Sequence, residues 1–194
     1  MSWARVCANK LVRGAGKRSL LEHGSFCSAV VAWACSEGMK PPSLYIETTV
    51  PNFLFAEDAP EKQAATAEFF KWLKICREKL FTSALVLEEL EAAPQPLRAK
   101  LLKALRAVPC EMLPITREQR GLASVYVSEG VIPIKYTDDA IHAAVCVLNR
   151  IDCLVTWNMK HLANFRRIER MNQINLRYGL PPVKIHTPEE MLDL

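Results

Sequence analysis

From residue 43 onward the chain alternates short apolar runs with longer stretches whose apolar positions recur every three or four residues. Ser43–Glu47, Leu80–Thr82, Cys110–Ile115, Asp152–Trp157 and Val183–His186 are too short for helices and read as strands. Between them lie helical segments with their own start and stop signals. Pro60 opens a helix that the apolar positions Phe69, Phe70, Trp72, Leu73, Ile75 and Cys76 carry to about Glu78. Thr48–Phe55 reads as a loop or a short helix interrupted at Pro51. Ser83 is placed to cap a helix bearing Leu85, Val86, Leu87 and Leu90. Beyond Pro94 and Pro96, Leu97, Leu101, Leu102 and Leu105 share one helical face. Thr116 caps a helix to Gly130, and Thr137 or Asp138 caps the next, Asp139–Asn149. A polar helix runs from about Leu162 to Tyr178, and Gly179 stops it. Thr187, Pro188 and Glu190 supply the cap, first position and capping-box acid of a terminal helix. Strands separated by helices predict an α/β domain in three layers, α/β/α, around a central parallel sheet of four to five strands.

The chain has 194 residues, half of them hydrophobic and 24% charged, which suits one domain with a substantial core. No apolar run reaches the roughly 20 residues of a membrane span, so a soluble, cytoplasmic protein with no membrane contact is expected. Seven cysteines without CxxC spacing argue against a zinc site or a disulfide framework. The net charge of +4 is concentrated early: Arg5, Lys10, Arg13, Lys17 and Arg18 against Glu22 and Glu37 place +3 within residues 1–38. Nucleic-acid binding by the remainder would therefore need a local patch. Residues 1–38 lack helical or strand periodicity. They read as a disordered extension or as translation from an early start, with Met39 the functional start and a transit sequence the alternative. The folded domain is expected over residues 43–194.

Four of the predicted elements bring a polar group to the edge of an apolar run: Glu47, Glu89, Asp139 and Asn158. In an alternating strand–helix chain, strand C-termini and helix N-termini gather along one edge of the sheet. Asp138 at a helix start needs no reading beyond a cap, and Glu88, Glu89 and Glu91 taken alone suit a solvated helix face. Glu47 and Asn158 follow the most apolar strands, however, and Asp139 precedes the apolar Ala140–Val145. Carboxylates collected there would be costly without a counter-charge, and a hard divalent cation such as Mg²⁺ or Mn²⁺ supplies one.

In this order, Tyr45-Ile46-Glu47-Thr48, Val86-Leu87-Glu88-Glu89-Leu90, Asp139-Ala140-Ile141-His142-Ala143-Ala144 and Leu154-Val155-Thr156-Trp157-Asn158 resemble the motifs of PIN domains. The resemblance is nearest to the VapC-like toxin nucleases of toxin–antitoxin pairs. It covers residues 43–194 and implies a PIN-like fold and a metal-dependent endoribonuclease, a hydrolase in which bound Mg²⁺ or Mn²⁺ activates water to cut an RNA phosphodiester. It makes Glu47, Glu89 and Asp139 catalytic and adds Asn158 to the metal set. Its implied partners are RNA, an antitoxin protein seated in an apolar groove, and a second copy in a homodimer. Two positions depart from the family: Glu47 stands for an Asp and Asn158 for a fourth acid. They open a second reading, a degenerate PIN-fold RNA-binding or regulatory protein without efficient cleavage. Thr48 and Thr156 could offer hydroxyls to a metal-bound water or a phosphate, or serve as caps and strand-end packing; Lys160, His161, Arg166, Arg167 and Arg170 could meet phosphates or form a solvated helix face. Trp157 is offered to a base or to the core, and His142 is read as a packing or hydrogen-bonding residue.

Overall fold

The computed structural model describes residues 41–193; the expected extension over 1–38 and the start at Met39 lie outside them. The strands are β1 (Ser43–Ile46), β2 (Lys79–Ser83), β3 (Glu111–Leu113), β4 (Cys153–Val155) and β5 (Ile185–His186). The helices are α1 (Thr49–Phe53), α2 (Pro60–Leu73), α3 (Ala84–Glu91), α4 (Leu97–Arg106), α5 (Arg117–Ser128), α6 (Thr137–Leu148), α7 (Phe165–Arg177) and α8 (Pro188–Leu192). All strand pairs are parallel, in the order β3-β2-β1-β4-β5. The α/β class and the five-stranded parallel sheet are as the sequence pattern predicts.

Strand periodicity assigns the two faces. In β1, Tyr45 points into a core shared with α3, α5, α6 and α7, whereas Leu44 and Ile46 point into a second core against Phe69, Phe70 and Leu73 of α2. In β4, Leu154 joins the first core and Cys153 and Val155 the second. A sheet buried on both sides accounts for the unbroken burial of β1. The chain leaves β1 toward β2 and β3, then returns to lay β4 on the other side of β1. Strand order therefore reverses between β1 and β4, and crevices at such a point lie outside the strand C-termini.

Several boundaries differ from expectation. Helix α2 stops at Leu73 rather than near Glu78, and Ile75, expected in its apolar stripe, is 81% exposed. Helix α1 runs through Pro51, because its first turn has no use for that N–H. Neither Thr137 nor Asp138 caps α6: a 3-10 turn over Ile134–Tyr136 leads directly into it, and the Thr137 hydroxyl donates back to the Ile134 carbonyl at 2.6 Å. Helix α7 begins at Phe165, where the Asn164 side chain accepts from Arg167 N. Strand β5 is shortened to two residues because the Asn172 amide holds both the N–H and C=O of Val183. Caps at Ser83, Thr116 and Thr187 form as the sequence indicates. Among the described residues no helix is long and apolar enough to cross a membrane.

Candidate metal centre

The end of β1 is stitched to the end of β4. Glu47 N donates to the Val155 carbonyl at 3.2 Å, continuing the ladder one residue past the strand. The Glu47 side chain, 2% exposed, then turns into the crevice at the point of strand reversal. Its Oε2 accepts three bonds: from Thr49 N at 3.0 Å, Thr49 Oγ1 at 2.5 Å and Thr156 Oγ1 at 2.8 Å. The threonine oxygens in turn accept from the backbone after β4, Thr49 from Trp157 N and Thr156 from Asn158 N. Among the described residues no donor reaches Glu47 Oε1.

Glu89 arrives from the second turn of α3, which Ser83 caps at the end of β2. It repeats the same arrangement. Its Oε2 accepts from Thr48 Oγ1 and pairs with His142 Nε2 at 3.1 Å, and among the described residues no donor reaches Oε1. One ligand atom each from Glu47, Glu89 and His142 lie within 4.8 Å of one another. Burial pushes the Glu89 carboxyl up, but the hydrogen bond and charge of His142 and the Thr48 hydroxyl outweigh it, leaving it below its ordinary value.

Asp139 sits in the first turn of α6, and its Oδ2 is buried without a hydrogen-bond partner. Burial first, and then the negative charge of Glu47, push its carboxyl up to about 6, against smaller opposing effects of His142 and the Asn158 amide. The N-terminal end of a helix ordinarily favours an anion, so burial and crowding by neighbouring carboxylates dominate here. His142, one turn further along α6, is fully buried. Burial alone would lower its pKa, but the Glu89 hydrogen bond and the charges of Glu47, Glu89 and Asp139 raise it above its ordinary value.

The remaining expected site residues fall into two groups. Asn158 stands beside Asp139, and its Oδ1 accepts from His161 N at 3.0 Å. Lys160 and Arg166 are exposed on the segment that follows it. Thr48 and Thr156 are both buried, and each donates its hydroxyl proton to a carboxylate, Thr48 to Glu89 and Thr156 to Glu47. The guanidinium groups of Arg167 and Arg170 bind the carbonyls of Val131, Gly130 and Glu129 and tie α7 to the end of α5. Trp157 is core, 5% exposed, with its indole N–H on Thr66 Oγ1 at 2.8 Å. Thr49, which fixes Glu47, is missing from the residues expected on sequence grounds. A hydroxyl two residues after a strand-end acid, where side-chain-to-backbone turns form, is the signal that could have found it.

With Glu47, Glu89, Asp139 and Asn158 at one sheet edge, the order of the four motifs has a structural counterpart. The chain resembles a VapC-type PIN domain. No protein-family model matches the chain, and no curated protein matches it significantly. Solved structures similar to it include DNA-bound VapBC from Salmonella typhimurium, at 14% identity and a TM-score of 0.47, covering 76% of this chain and 98% of that one. VapBC2 from Rickettsia felis, bound to a DNA fragment from its promoter, is 15% identical with a TM-score of 0.44, over 74% and 98% of the two chains. PAE2754 from Pyrobaculum aerophilum is 18% identical with a TM-score of 0.40, over 74% and 93%.

Proposed function

We propose that the domain is a divalent-cation-dependent ribonuclease of the VapC toxin type, working through Glu47, Glu89 and Asp139. The observation that carries this reading is the state of the carboxylate oxygens. Among the described residues, two glutamates each have one oxygen anchored by protein donors and one left without, and Asp139 keeps a buried oxygen with no partner. A buried acceptor without a donor is costly, and Asp139 Oδ2 is one; with two more carboxylates crowded beside it, a positive charge would complete the group. Hard oxygen donors fit Mg²⁺ or Mn²⁺. When bound, such an ion supplies positive charge for polarising water and screening a phosphodiester.

The chain's own residues do the rest. Thr49 and Thr156 orient Glu47, Thr48 and His142 orient Glu89, and the Asn158 amide steadies Asp139. Because the Asn158 carbonyl oxygen already serves His161 N, we assign Asn158 to holding Asp139 ahead of direct ligation. On this reading Lys160 and Arg166, exposed on the segment that follows, would contact RNA phosphates. An antitoxin chain and a homodimer belong to the same reading as its expected partners.

A second reading has one specific observation in its favour. With an amide at 158 the cluster holds three acids rather than four, which suits a PIN-fold RNA-binding or regulatory protein without efficient cleavage. Calorimetric Mn²⁺ titration beside a fluorescent RNA cleavage assay separates the two, using wild type, Asp139→Asn and Glu47→Ala. The nuclease reading expects wild type to bind and cut, and both variants to lose both properties. Metal binding without cleavage supports the second reading. A wild type that neither binds nor cuts refutes the metal centre.

A further inference from the structure

Helix α2 begins on the edge of the sheet that carries the metal centre. The chain leaves β1 at Glu47, passes through α1, enters α2 at Pro60 and starts β2 at Lys79, parallel to β1. In a β–α–β unit of this kind the helix runs against the strands, so its first turn stands beside the strand C-termini. Lys62 is the third residue of that turn and is partly exposed. Its ammonium lies 5.0 Å from the ring centroid of Phe53 and 5.3 Å from that of Trp157, and the two rings are 5.7 Å apart.

We propose that Lys62 contacts the RNA backbone on the side of the sheet opposite α7, as a cation held ready by Phe53 and Trp157. This rests on the proposed ribonuclease reading and adds to it a path for the substrate. Two features separate Lys62 from a lysine that merely solvates a helix. A cation in the first turn faces the positive end of the helix dipole, a position that costs stability unless something negative answers it. Among the described residues no carboxylate forms an ion pair with it. The rings restrain the ammonium by attraction to their faces, which orders the side chain while leaving its charge unneutralised.

The mount of this cation is continuous with the centre. The Trp157 indole N–H donates to Thr66 Oγ1 at 2.8 Å, and that hydroxyl donates to the Lys62 carbonyl at 2.6 Å. The Trp157 backbone N–H donates to Thr49 Oγ1 at 2.8 Å, and Thr49 Oγ1 donates to Glu47 Oε2 at 2.5 Å. Phe53 lies one turn beyond Thr49 on α1. The residues that aim Glu47 therefore also carry the rings that hold Lys62. Helix α2 packs on one face of the sheet and α7 on the other. Lys62 thus stands on one flank of the acids and Arg166 of α7 on the other, with Lys160 on the segment leading to it. A single RNA strand laid across the strand ends meets a cation on each side of the bond to be cut.

The test measures binding of a fluorescein-labelled single-stranded RNA to the full chain carrying Asp139→Asn, by anisotropy across a salt series in chelator. Lys62→Met in that background keeps an apolar stem over the rings and removes the charge. Its affinity at low salt is expected to fall about 3- to 10-fold, and the slope of log affinity against log salt to become shallower by about 0.7, the value for one phosphate of a single strand. Lys62→Arg is expected to bind as the background does. Lys71→Met makes the same charge change on the exposed far end of α2 and is expected to leave affinity and slope unchanged. Unchanged binding in Lys62→Met overturns the contact and leaves the ribonuclease reading standing. So does an equal loss in Lys71→Met or in Lys62→Arg, since position or charge would then not matter. A background chain that binds no RNA at any salt overturns the ribonuclease reading itself, and the contact with it.

Discussion

Replacing Asp139 with Asn should make the metal-free protein more stable while removing what the metal adds. The Asp139 carboxyl is pushed up from an ordinary 3.8 to about 6 by burial and by Glu47. An acid whose folded pKa lies above its unfolded value favours folding when protonated. Its contribution is fully present below about 3.8 and is lost as pH rises through about 6. At neutral pH the cost of ionising it corresponds to at most about 3 kcal/mol. The side chain is partly exposed, so solvent screening reduces this to about 1–2 kcal/mol. Asn has nearly the same volume, carries no charge and can donate to the surrounding carboxylates. Urea unfolding in chelator at pH 7.5 should therefore place Asp139→Asn about 1–2 kcal/mol above wild type, with a smaller gap at pH 5. Mn²⁺ at 100 times its dissociation constant should raise wild type by about 2.7 kcal/mol and leave the variant unmoved. Wild-type affinity for Mn²⁺ should weaken as pH falls through about 6, because the proton and the ion compete for one oxygen. A variant less stable than wild type in chelator at pH 7.5, or one that Mn²⁺ stabilises equally, would refute the account of Asp139 as a group strained by its neighbours for the sake of a cation.

Three further outcomes follow from the same geometry. Tyr45→Phe leaves His142 Nδ1 and Ser83 Oγ without their shared buried partner and should cost about 1–3 kcal/mol in urea unfolding. Thr49→Val removes a hydroxyl from Glu47 and the acceptor of Trp157 N; calorimetry should find Mn²⁺ affinity lowered about 10-fold or more, with the circular dichroism of the fold retained. Charge reversal of exposed Lys160 and Arg166 together should weaken RNA binding by Asp139→Asn, a non-cleaving background. The salt dependence of that binding should become shallower by about one for each phosphate no longer neutralised, measured by fluorescence anisotropy across a salt series.

Much of this architecture is legible in the sequence because it rests on periodicities that burial enforces. A strand buried on both faces must be apolar throughout, which is why β1 and β4 stand out, and the caps at Ser83, Thr116 and Thr187 are local chemistry. Where expectation and structure part, the deciding interactions are not local. Ile75 continues a helical stripe in sequence, but α2 has already ended and the side chain is left exposed. Thr137 has the right residue type for a cap, yet its hydroxyl finds the Ile134 carbonyl first. The acids can be placed from the ends of their elements, because topology alone brings those ends together. Thr48 and Thr156 cannot, since nothing local in their sequence shows which carboxylate each will hold. Thr48 adjoins Glu47 and serves Glu89, whereas Thr156 crosses from another strand to serve Glu47.

That last bond, from Thr156 to Glu47, joins groups 109 residues apart in the chain. Its long loop makes it expensive to close early in folding, and it forms only once β4 has docked beside β1. A ribosome that has delivered β1, β2 and α3 has made two of the three acids without the clasp that aims the first of them. The aim of Glu47 is therefore expected to be set late, only after β4 has emerged and docked beside β1.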